Sequence, residues 1–171
     1  MRTLLSIFVF LLMDSCVANF CPDDAGWFPA AGSCYLMSPY KMNWYKAQEV
    51  KCQLLKHKLG WTLQFCWEHG GYLAEIKTSE IEQELDEVLL HEVEYWIGLT
   101  DLDSPETFYW AESGEEATYF NWGARQPDNN RDEDCVFKSL TVQHSGWQDM
   151  ICTHDNSYFM DLHALCQYQI A

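Results

Sequence analysis

The protein has 171 residues, and its 26 acidic and 10 basic side chains give a formal net charge of -16. A chain of this length favours a single domain with a substantial core, and an aromatic content of 15% excludes a disordered chain. Because an acidic surface repels phosphate backbones and anionic lipids, the composition argues against nucleic-acid binding and polybasic membrane attachment.

Residues 1–18 have the pattern of a cleavable signal peptide. Arg2 precedes the apolar run 4–13, and residues 16–18 place small side chains before a cleavage point. A buried N-terminal helix is the alternative, but the order of charge, apolar run and small residues favours a secretory signal. The run is too short to span a bilayer, and no later stretch approaches 18 apolar residues. We therefore expect residues 19–171 to be secreted and to contain no membrane span.

The cysteine pattern indicates disulfide bonds. Eight cysteines are present, and cleavage after Ala18 removes Cys16. In an oxidising compartment the default is disulfide formation, whereas a zinc site needs short Cys-x2-Cys or Cys/His pairs that this sequence lacks. Seven is an odd number, so one thiol is left without a partner in the chain. The seven are Cys21, Cys34, Cys52, Cys66, Cys135, Cys152 and Cys166.

Two helices are predicted in the first half of the chain. The earlier one begins near Asn43, with Trp44 and Ala47 on its inner face. The later one begins with a capping box formed by Ser79 and Glu82. Its apolar residues recur with the spacing of an amphipathic helix. They are Ile81, Leu85, Val88 and Leu89.

Short runs of strand type follow, separated by Gly, Pro, Asn and Asp. They cover residues 95–99, 108–110, 135–137 and 164–166. Two helices followed by short strands indicate an α+β domain.

The segment 101–134 is too long for an ordinary connection in a compact domain. Its aromatic residues, among them Trp110 and Trp122, indicate that it is ordered. Many carboxylates in one loop repel one another unless a cation lies among them, and calcium takes about 6–8 oxygen ligands. Charge runs usually face water, so the residues alone equally allow a solvated acidic loop. The oxygen donors are Asp101, Asp103, Glu106, Gln126, Asp128, Asn129, Asn130, Asp132, Glu133 and Asp134.

A series of short motifs, taken in order, resembles the C-type lectin domain over nearly all of residues 19–171. The resemblance implies a disulfide-stabilised α+β fold of two helices and short antiparallel strands, in which the end strands pair. It also implies a long loop whose calcium ion binds sugar directly. The motifs are Cys21-Pro22 with Trp27 and Cys34-Tyr35, the run 70–76, the run 96–99, Asn121-Trp122, Gln126-Pro127-Asp128, Glu133-Asp134-Cys135, Trp147-Gln148-Asp149 and Cys166.

The resemblance also implies how the cysteines pair. Cys66 is expected to bond Cys166, and Cys135 to bond Cys152. A bond between Cys21 and Cys34 resembles the additional N-terminal bridge of the long form of the domain. Cys52 then has no partner.

Cys52 lies in a segment, residues 50–64, that does not fit the family pattern. Deleting it joins Glu49 to Phe65 and restores an uninterrupted helix of the lectin type. The segment contains three Lys, one His and no acidic residue in a chain with 26 acids. It is therefore an atypical insertion, either a lineage-specific loop or translated intron.

The resemblance implies one main calcium site that also binds the carbohydrate. A cis peptide bond before Pro127 is expected to turn its neighbours toward one point. Gln-Pro-Asp in place of Glu-Pro-Asn implies galactose-type ligands. Two departures weigh against this preference: Gln148 stands where the family has Asn, and no aromatic residue near Asp128 is available to stack on galactose. The implied ligands of both ion and sugar are Gln126, Asp128, Glu133, Gln148 and Asp149.

A second, auxiliary calcium site is implied at Asp101, Glu106, Asn129 and Asp134. Trp147 offers an apolar contact to the sugar, although a core position is the more usual place for a tryptophan.

The sequence also bears on two other functions, catalysis and calcium-independent binding. Catalysis is not expected, because the acids lie among other oxygen donors and the sequence has no nucleophile elbow, phosphate-binding glycine loop or zinc signature. The stronger alternative is a calcium-independent lectin-like domain that binds a protein or another non-sugar ligand. The family suggests a role in innate immune recognition, and the oligomeric state stays open.

Overall fold

The computed structural model describes residues 21–22, 26–47, 65–89, 92–128, 132–141, 145–152 and 162–170. The predicted signal peptide, the insertion 50–64 with Cys52, and Asn129 lie outside the described residues. What the sequence indicates about them stays a prediction.

Short strands dominate the described part of the chain, as predicted. Strands predicted around residues 95–99, 108–110, 135–137 and 164–166 are confirmed, the second of them over 109–110, and the strands at 28–30, 33–37, 72–73 and 146–150 lie outside the predicted runs. The elements are β1 (Phe28–Ala30), β2 (Ser33–Met37), α1 (Trp44–Ala47), α2 (Phe65–Glu68), β3 (Tyr72–Leu73), α3 (Ser79–Val88), β4 (Glu94–Thr100), β5 (Tyr109–Trp110), β6 (Cys135–Ser139), β7 (Gly146–Met150) and β8 (His163–Tyr168).

The strands form one sheet in the order β1-β2-β8-β4-β6-β7, with β3 also paired to β8 and β5 to β4. β2 from the start of the domain pairs antiparallel with β8 from its end, so the end strands meet as the resemblance implies. All pairs are antiparallel except β4 with β8, which is parallel. The resulting α+β architecture confirms the predicted fold class.

The sheet separates two apolar cores. On β4, Trp96 packs in one core while Tyr95 and Ile97 pack in the other. β6 alternates in the same way, with Phe137 in the first core and Val136 in the second. Because successive strand side chains point to opposite faces, the alternation shows that both faces of the sheet are covered.

The helix near Asn43 is confirmed. The backbone nitrogen of Lys46 donates to Asn43 Oδ1 at 2.9 Å, so Asn43 caps α1. Trp44 and Ala47 are buried, as predicted, and α2 covers Phe65–Glu68.

The helix α3 is also confirmed, but the predicted capping box is wrong. The cap is Thr78, whose Oγ1 accepts a hydrogen bond from the backbone nitrogen of Ile81 at 3.3 Å. The backbone of Thr78 is extended, which places its hydroxyl at the start of the helix. Ser79 is the first helical residue and therefore cannot be the cap. Glu82 does not turn back to the helix start, and its side chain is buried against the sheet.

Three disulfide bonds join Cys21 to Cys34, Cys66 to Cys166 and Cys135 to Cys152. These are the pairs that the resemblance implies. The Cys66–Cys166 bond spans 100 residues and ties α2 to β8. Within the described ranges, no helix is both long and apolar enough to cross a bilayer.

Candidate metal centre

Three carboxylates from separate segments converge at one end of the β6–β7 pair. One oxygen from each of Asp128, Glu133 and Asp149 lies within 4.8 Å of the other two. Asp128 is exposed, Glu133 is half-buried and Asp149 is buried, so the group runs from solvent into the protein. All three belong to the predicted ligand set.

Local structure explains why these residues meet. Asp149 lies on β7 in register with Val136 of β6, and Glu133 stands two residues before β6 begins. The Cys135–Cys152 bond fastens the same ends of the two strands together. Two segments of the site are therefore held by a strand pair and a covalent link.

The loop that carries Asp128 is fastened to the same strand. The backbone nitrogen of Asp128 donates to Asp149 Oδ1 at 3.3 Å and to Gln126 Oε1 at 3.1 Å. The backbone N–H of Gln126 donates to the carbonyl of Gly123. The backbone N–H of Gly123 in turn donates to the carbonyl of Trp147. The peptide bond between Gln126 and Pro127 is cis, as expected.

The remaining members of the predicted main site are close in sequence to two of the three carboxylates. Gln126 is half-buried on the loop, and Gln148 is half-buried on β7 between Trp147 and Asp149. Trp147 is fully buried, which makes it a core residue and removes it as an apolar contact for a sugar.

The aromatic residues of the long loop anchor it, as predicted. The rings of Tyr119, Phe120 and Trp122 pack edge-on against Trp147, with centroids 5.6 to 6.4 Å apart. Because Trp147 immediately precedes Gln148 and Asp149 on β7, this packing holds the loop beside the carboxylate group.

The predicted auxiliary site is only partly described, because Asn129 lies outside the described residues. Asp101 is buried, and its Oδ2 accepts the backbone N–H of Glu106 at 2.9 Å. Its own backbone N–H donates to the carbonyl of Asp134. Among the described residues, Asp101, Glu106 and Asp134 do not belong to the convergent carboxylate group.

The electrostatics around Asp101 are unfavourable for a negative charge. Burial raises the pKa of the Asp101 carboxyl; the hydrogen bond from Glu106 lowers it, and the charges of Asp134 and Asp149 raise it further. Its Oδ1 has no hydrogen-bond donor among the described residues.

Two buried charged residues, Glu82 and Lys138, are not among the predicted site residues. Lys138 Nζ lies 2.6 Å from Glu82 Oε1, and the side chains are 2% and 4% exposed. A signal was available for Glu82, which precedes Leu85 by three positions and therefore lies on the buried face of α3. Lys138 gave no signal of its own, because strand lysines usually face solvent.

The fold, the pairing of the end strands and the acidic end of the long loop define the class of protein, a lectin-like α+β domain. A family model described as "Lectin C-type domain" matches residues 56–159. The chain belongs to this family.

Individual proteins similar to this chain agree with the assignment. A perlucin-like protein of Mytilus galloprovincialis is 29% identical over 89% of this chain and 91% of its own length. Lectin BRA-3 of Megabalanus rosa is 27% identical over 81% of this chain and 76% of its own. The structure of herring type II antifreeze protein superposes with a TM-score of 0.67, at 26% identity over 88% of this chain and 100% of that one.

Proposed function

We propose that this protein is a secreted, calcium-dependent carbohydrate-binding protein and not an enzyme. The convergence of Asp128, Glu133 and Asp149 within 4.8 Å carries the proposal. The relatives support the general role, because they include a protein named as a lectin and none of those compared above is named as an enzyme.

Physical chemistry explains why this convergence favours calcium. Two like charges 4.8 Å apart repel by about 1 kcal/mol in water and about 3 to 4 kcal/mol at an effective dielectric constant near 20. A divalent cation at the centre converts the repulsion into attraction. Calcium suits the group best, since it accepts carboxylate and amide oxygens in flexible geometry.

The proposed ligands are Gln126, Asp128, Glu133, Gln148 and Asp149. Three carboxylates and two amides fill about five of the 6–8 oxygen positions that calcium offers, which leaves room for two neighbouring sugar hydroxyls. The carboxylates would accept hydrogen bonds from those hydroxyls, and the amide nitrogens would donate to them. Asp101, Glu106, Asn129 and Asp134 are proposed for an auxiliary ion.

The Gln-Pro-Asp order supports a galactose-type preference within this proposal. Gln126 places an amide and Asp128 a carboxylate on opposite sides of Pro127. A hydroxyl in the wrong geometry would leave a buried polar group unpaired, at a cost of about 1–3 kcal/mol. The discriminating hydroxyl is the axial 4-hydroxyl of galactose.

Thermal unfolding with and without calcium tests the metal. Calcium at about one hundred times its Kd should stabilise the wild type by about 2.7 kcal/mol relative to protein in chelator. Asp128→Ala should remove this stabilisation and also abolish binding to immobilised galactose. Asp103→Ala, which removes an exposed acid from the same long loop, is the control and should behave as wild type.

Identical melting in calcium and in chelator would contradict the proposal. A glycan array at millimolar calcium, with a chelated duplicate, then tests the sugar. Signals on galactose-terminated glycans that disappear with chelator are expected, whereas signals on mannose-type glycans alone would overturn the galactose preference.

The alternative is a calcium-independent lectin-like domain with a non-sugar ligand. One observation favours keeping its non-sugar ligand: the chain covers the whole length of a fish antifreeze protein of the same fold. Unchanged melting in calcium, an empty glycan array and thermal hysteresis in solution would together support this alternative.

Secretion and the insertion are tested by the intact mass of the natural protein. Cleavage after Ala18 and retention of residues 50–64 each change the mass by a defined amount. A protein that begins at Met1 would contradict the signal peptide. A mass that includes the 15 residues of the insertion would eliminate the intron explanation.

A further inference from the structure

Glu82 is a buried residue, and its carboxylate accepts four hydrogen bonds from three separate segments. Oε1 accepts from Lys138 Nζ at 2.6 Å and from Trp147 Nε1 at 2.8 Å. Oε2 accepts from the Tyr119 hydroxyl at 2.5 Å and from Asn121 Nδ2 at 2.9 Å. A carboxylate has about four acceptor positions, so the chain satisfies Glu82 completely.

The donors to Glu82 lie on the segments that carry the proposed calcium ligands. Trp147 immediately precedes Gln148 and Asp149 on β7. Asn121 lies at the start of the loop that leads to Gln126 and Asp128.

Backbone hydrogen bonds join these donors to the ligands. Trp147 donates its N–H to the carbonyl of Asn121 at 2.8 Å, and Gly123 returns a bond to the carbonyl of Trp147 at 2.8 Å. Gln126 then donates to the carbonyl of Gly123. The side chain of Glu82 therefore contacts Asn121 and Trp147, and these same two residues join the loop to β7 through a backbone hydrogen bond.

The negative charge of Glu82 is paired with a buried lysine in this arrangement. Lys138 has a side chain that is 2% exposed, and it pairs with Glu82 and also with Asp86. A glutamine at position 82 would have one accepting oxygen and one donating nitrogen. In one orientation its nitrogen would face Lys138 and Trp147, and in the other it would face Tyr119 and Asn121. All four are donors in the wild type, so the nitrogen would meet donors in either orientation.

We infer that Glu82 is a positioning residue that holds the Gln126–Asp128 loop against β7 at the spacing the calcium ligands require. The part of this inference that concerns calcium rests on the proposed function. The part that concerns the loop does not, because the hydrogen bonds belong to the chain itself.

The test compares Glu82→Gln with a matched control, Glu75→Gln. Glu75 is also a buried glutamate, 6% exposed, that pairs with a lysine, Lys77, at 2.8 Å. Its Oε1 accepts the backbone N–H of Ser113 at 2.8 Å, in a different part of the long loop. Both variants neutralise a buried glutamate that pairs with a lysine, although Lys77 is 35% exposed and Lys138 only 2%, and only Glu82→Gln alters contacts to the segments that carry the proposed ligands.

Hydrogen exchange of the calcium-free proteins, followed by mass spectrometry, gives the first readout. The amides of Gly123, Gln126 and Trp147 should exchange about tenfold faster in Glu82→Gln than in Glu75→Gln at the same margin below each melting temperature. Equal exchange at these three amides in the two variants would overturn the inference.

Calcium affinity, measured by calorimetry, gives the second readout. The Kd should rise about fivefold in Glu82→Gln and change by less than about twofold in Glu75→Gln. A Kd within about twofold of wild type in Glu82→Gln would overturn the calcium part. If wild type binds no calcium, the proposed function fails, and the exchange readout still decides whether Glu82 positions the loop.

A variant with a smaller change, Tyr119→Phe, provides the test if Glu82→Gln does not fold. Tyr119→Phe removes only the hydroxyl that donates to Glu82 Oε2. It should speed exchange of the same three amides in the same direction and by a smaller factor. Wild-type exchange rates in Tyr119→Phe would then count against the inference.

Discussion

Negative charge has opposite surroundings in two regions of the protein. One is the region around Glu82, and the other is the region around Asp128, Glu133 and Asp149. Glu82 is surrounded by donors from its own chain, including the lysine Lys138. At the other end of β7, carboxylates are brought against one another from three segments. Both regions include residues of β7: Trp147 donates to Glu82, and Asp149 belongs to the carboxylate group.

The difference shows two ways in which the fold holds acidic side chains: Glu82 is held by hydrogen-bond donors, whereas the three carboxylates lie close to one another. A fully hydrogen-bonded buried carboxylate contributes to a defined structure, and its loss leaves its hydrogen-bond donors without an acceptor. Carboxylates that face each other oppose folding unless a cation joins them. We therefore expect substitutions in the two regions to differ in both size and sign.

The largest effect is expected from Glu82→Ala. It should lower the free energy of unfolding by about 3–5 kcal/mol, because the buried Lys138 would keep only the partly exposed Asp86 as a partner and three other donors would lose their acceptor. Urea denaturation followed by tryptophan fluorescence measures the loss. Glu87→Ala, on the exposed face of α3, should change stability by less than about 0.5 kcal/mol. Equal losses in the two variants would remove the distinction between the regions.

Asp149→Asn should affect ion binding more than stability. Replacing the buried carboxylate of the group by an amide should weaken calcium binding by about 2 kcal/mol, roughly thirtyfold. Isothermal titration calorimetry measures the change, and Asp103→Asn serves as the control on the exposed part of the long loop. An unchanged Kd in Asp149→Asn would place the ion elsewhere.

Asp101→Asn should stabilise the calcium-free protein, which is the opposite sign to Glu82→Ala. Asp101 is buried, and its Oδ1 has no donor among the described residues. An amide would still accept the N–H of Glu106 and would carry no charge toward Asp134 and Asp149. The expected gain in chelator at neutral pH is about 1 kcal/mol by chemical denaturation.

The gain from Asp101→Asn should depend on pH. Burial raises the pKa of Asp101 in the folded state above its ordinary value of 3.8, so the folded wild type holds this proton more tightly than the unfolded chain. Wild-type stability from this group is complete below pH 3.8 and is lost as pH rises through the folded pKa. The difference between variant and wild type should therefore shrink on acidification, and a gain that grows instead would contradict this account.

The smallest effect is expected from Gln148→Asn. Shortening this side chain by one methylene should bring its oxygen nearer the proposed ion and tighten calcium binding about threefold, or about 0.6 kcal/mol. Calorimetry measures it, and the same substitution at Gln83 on α3 is the control. Weaker binding in Gln148→Asn would show that the longer amide is already well placed.

The sequence pattern predicted the elements whose signals are local. The spacing of Leu85 and Leu89 and the capping chemistry near residue 79 were enough for α3, although the cap itself is Thr78. β3 and β7 were missed because two residues of β3 carry almost no pattern, and β7 contains Gly146, Gln148 and Asp149, which strands disfavour. Tertiary pairing with β8 and β6 overrides those weak propensities.

Ordered motifs in the sequence determined the family, the disulfide pairs and the acids proposed for calcium, because these depend on residue type and order along the chain. Only the tertiary structure decided that Glu82 is buried with Lys138, that Trp147 belongs to the core and that Asp128, Glu133 and Asp149 converge. Each of these facts joins residues from separate parts of the chain. Such contacts depend on the pairing of β6 with β7 and on the path of the long loop across the sheet, and neither leaves a periodic pattern in the sequence.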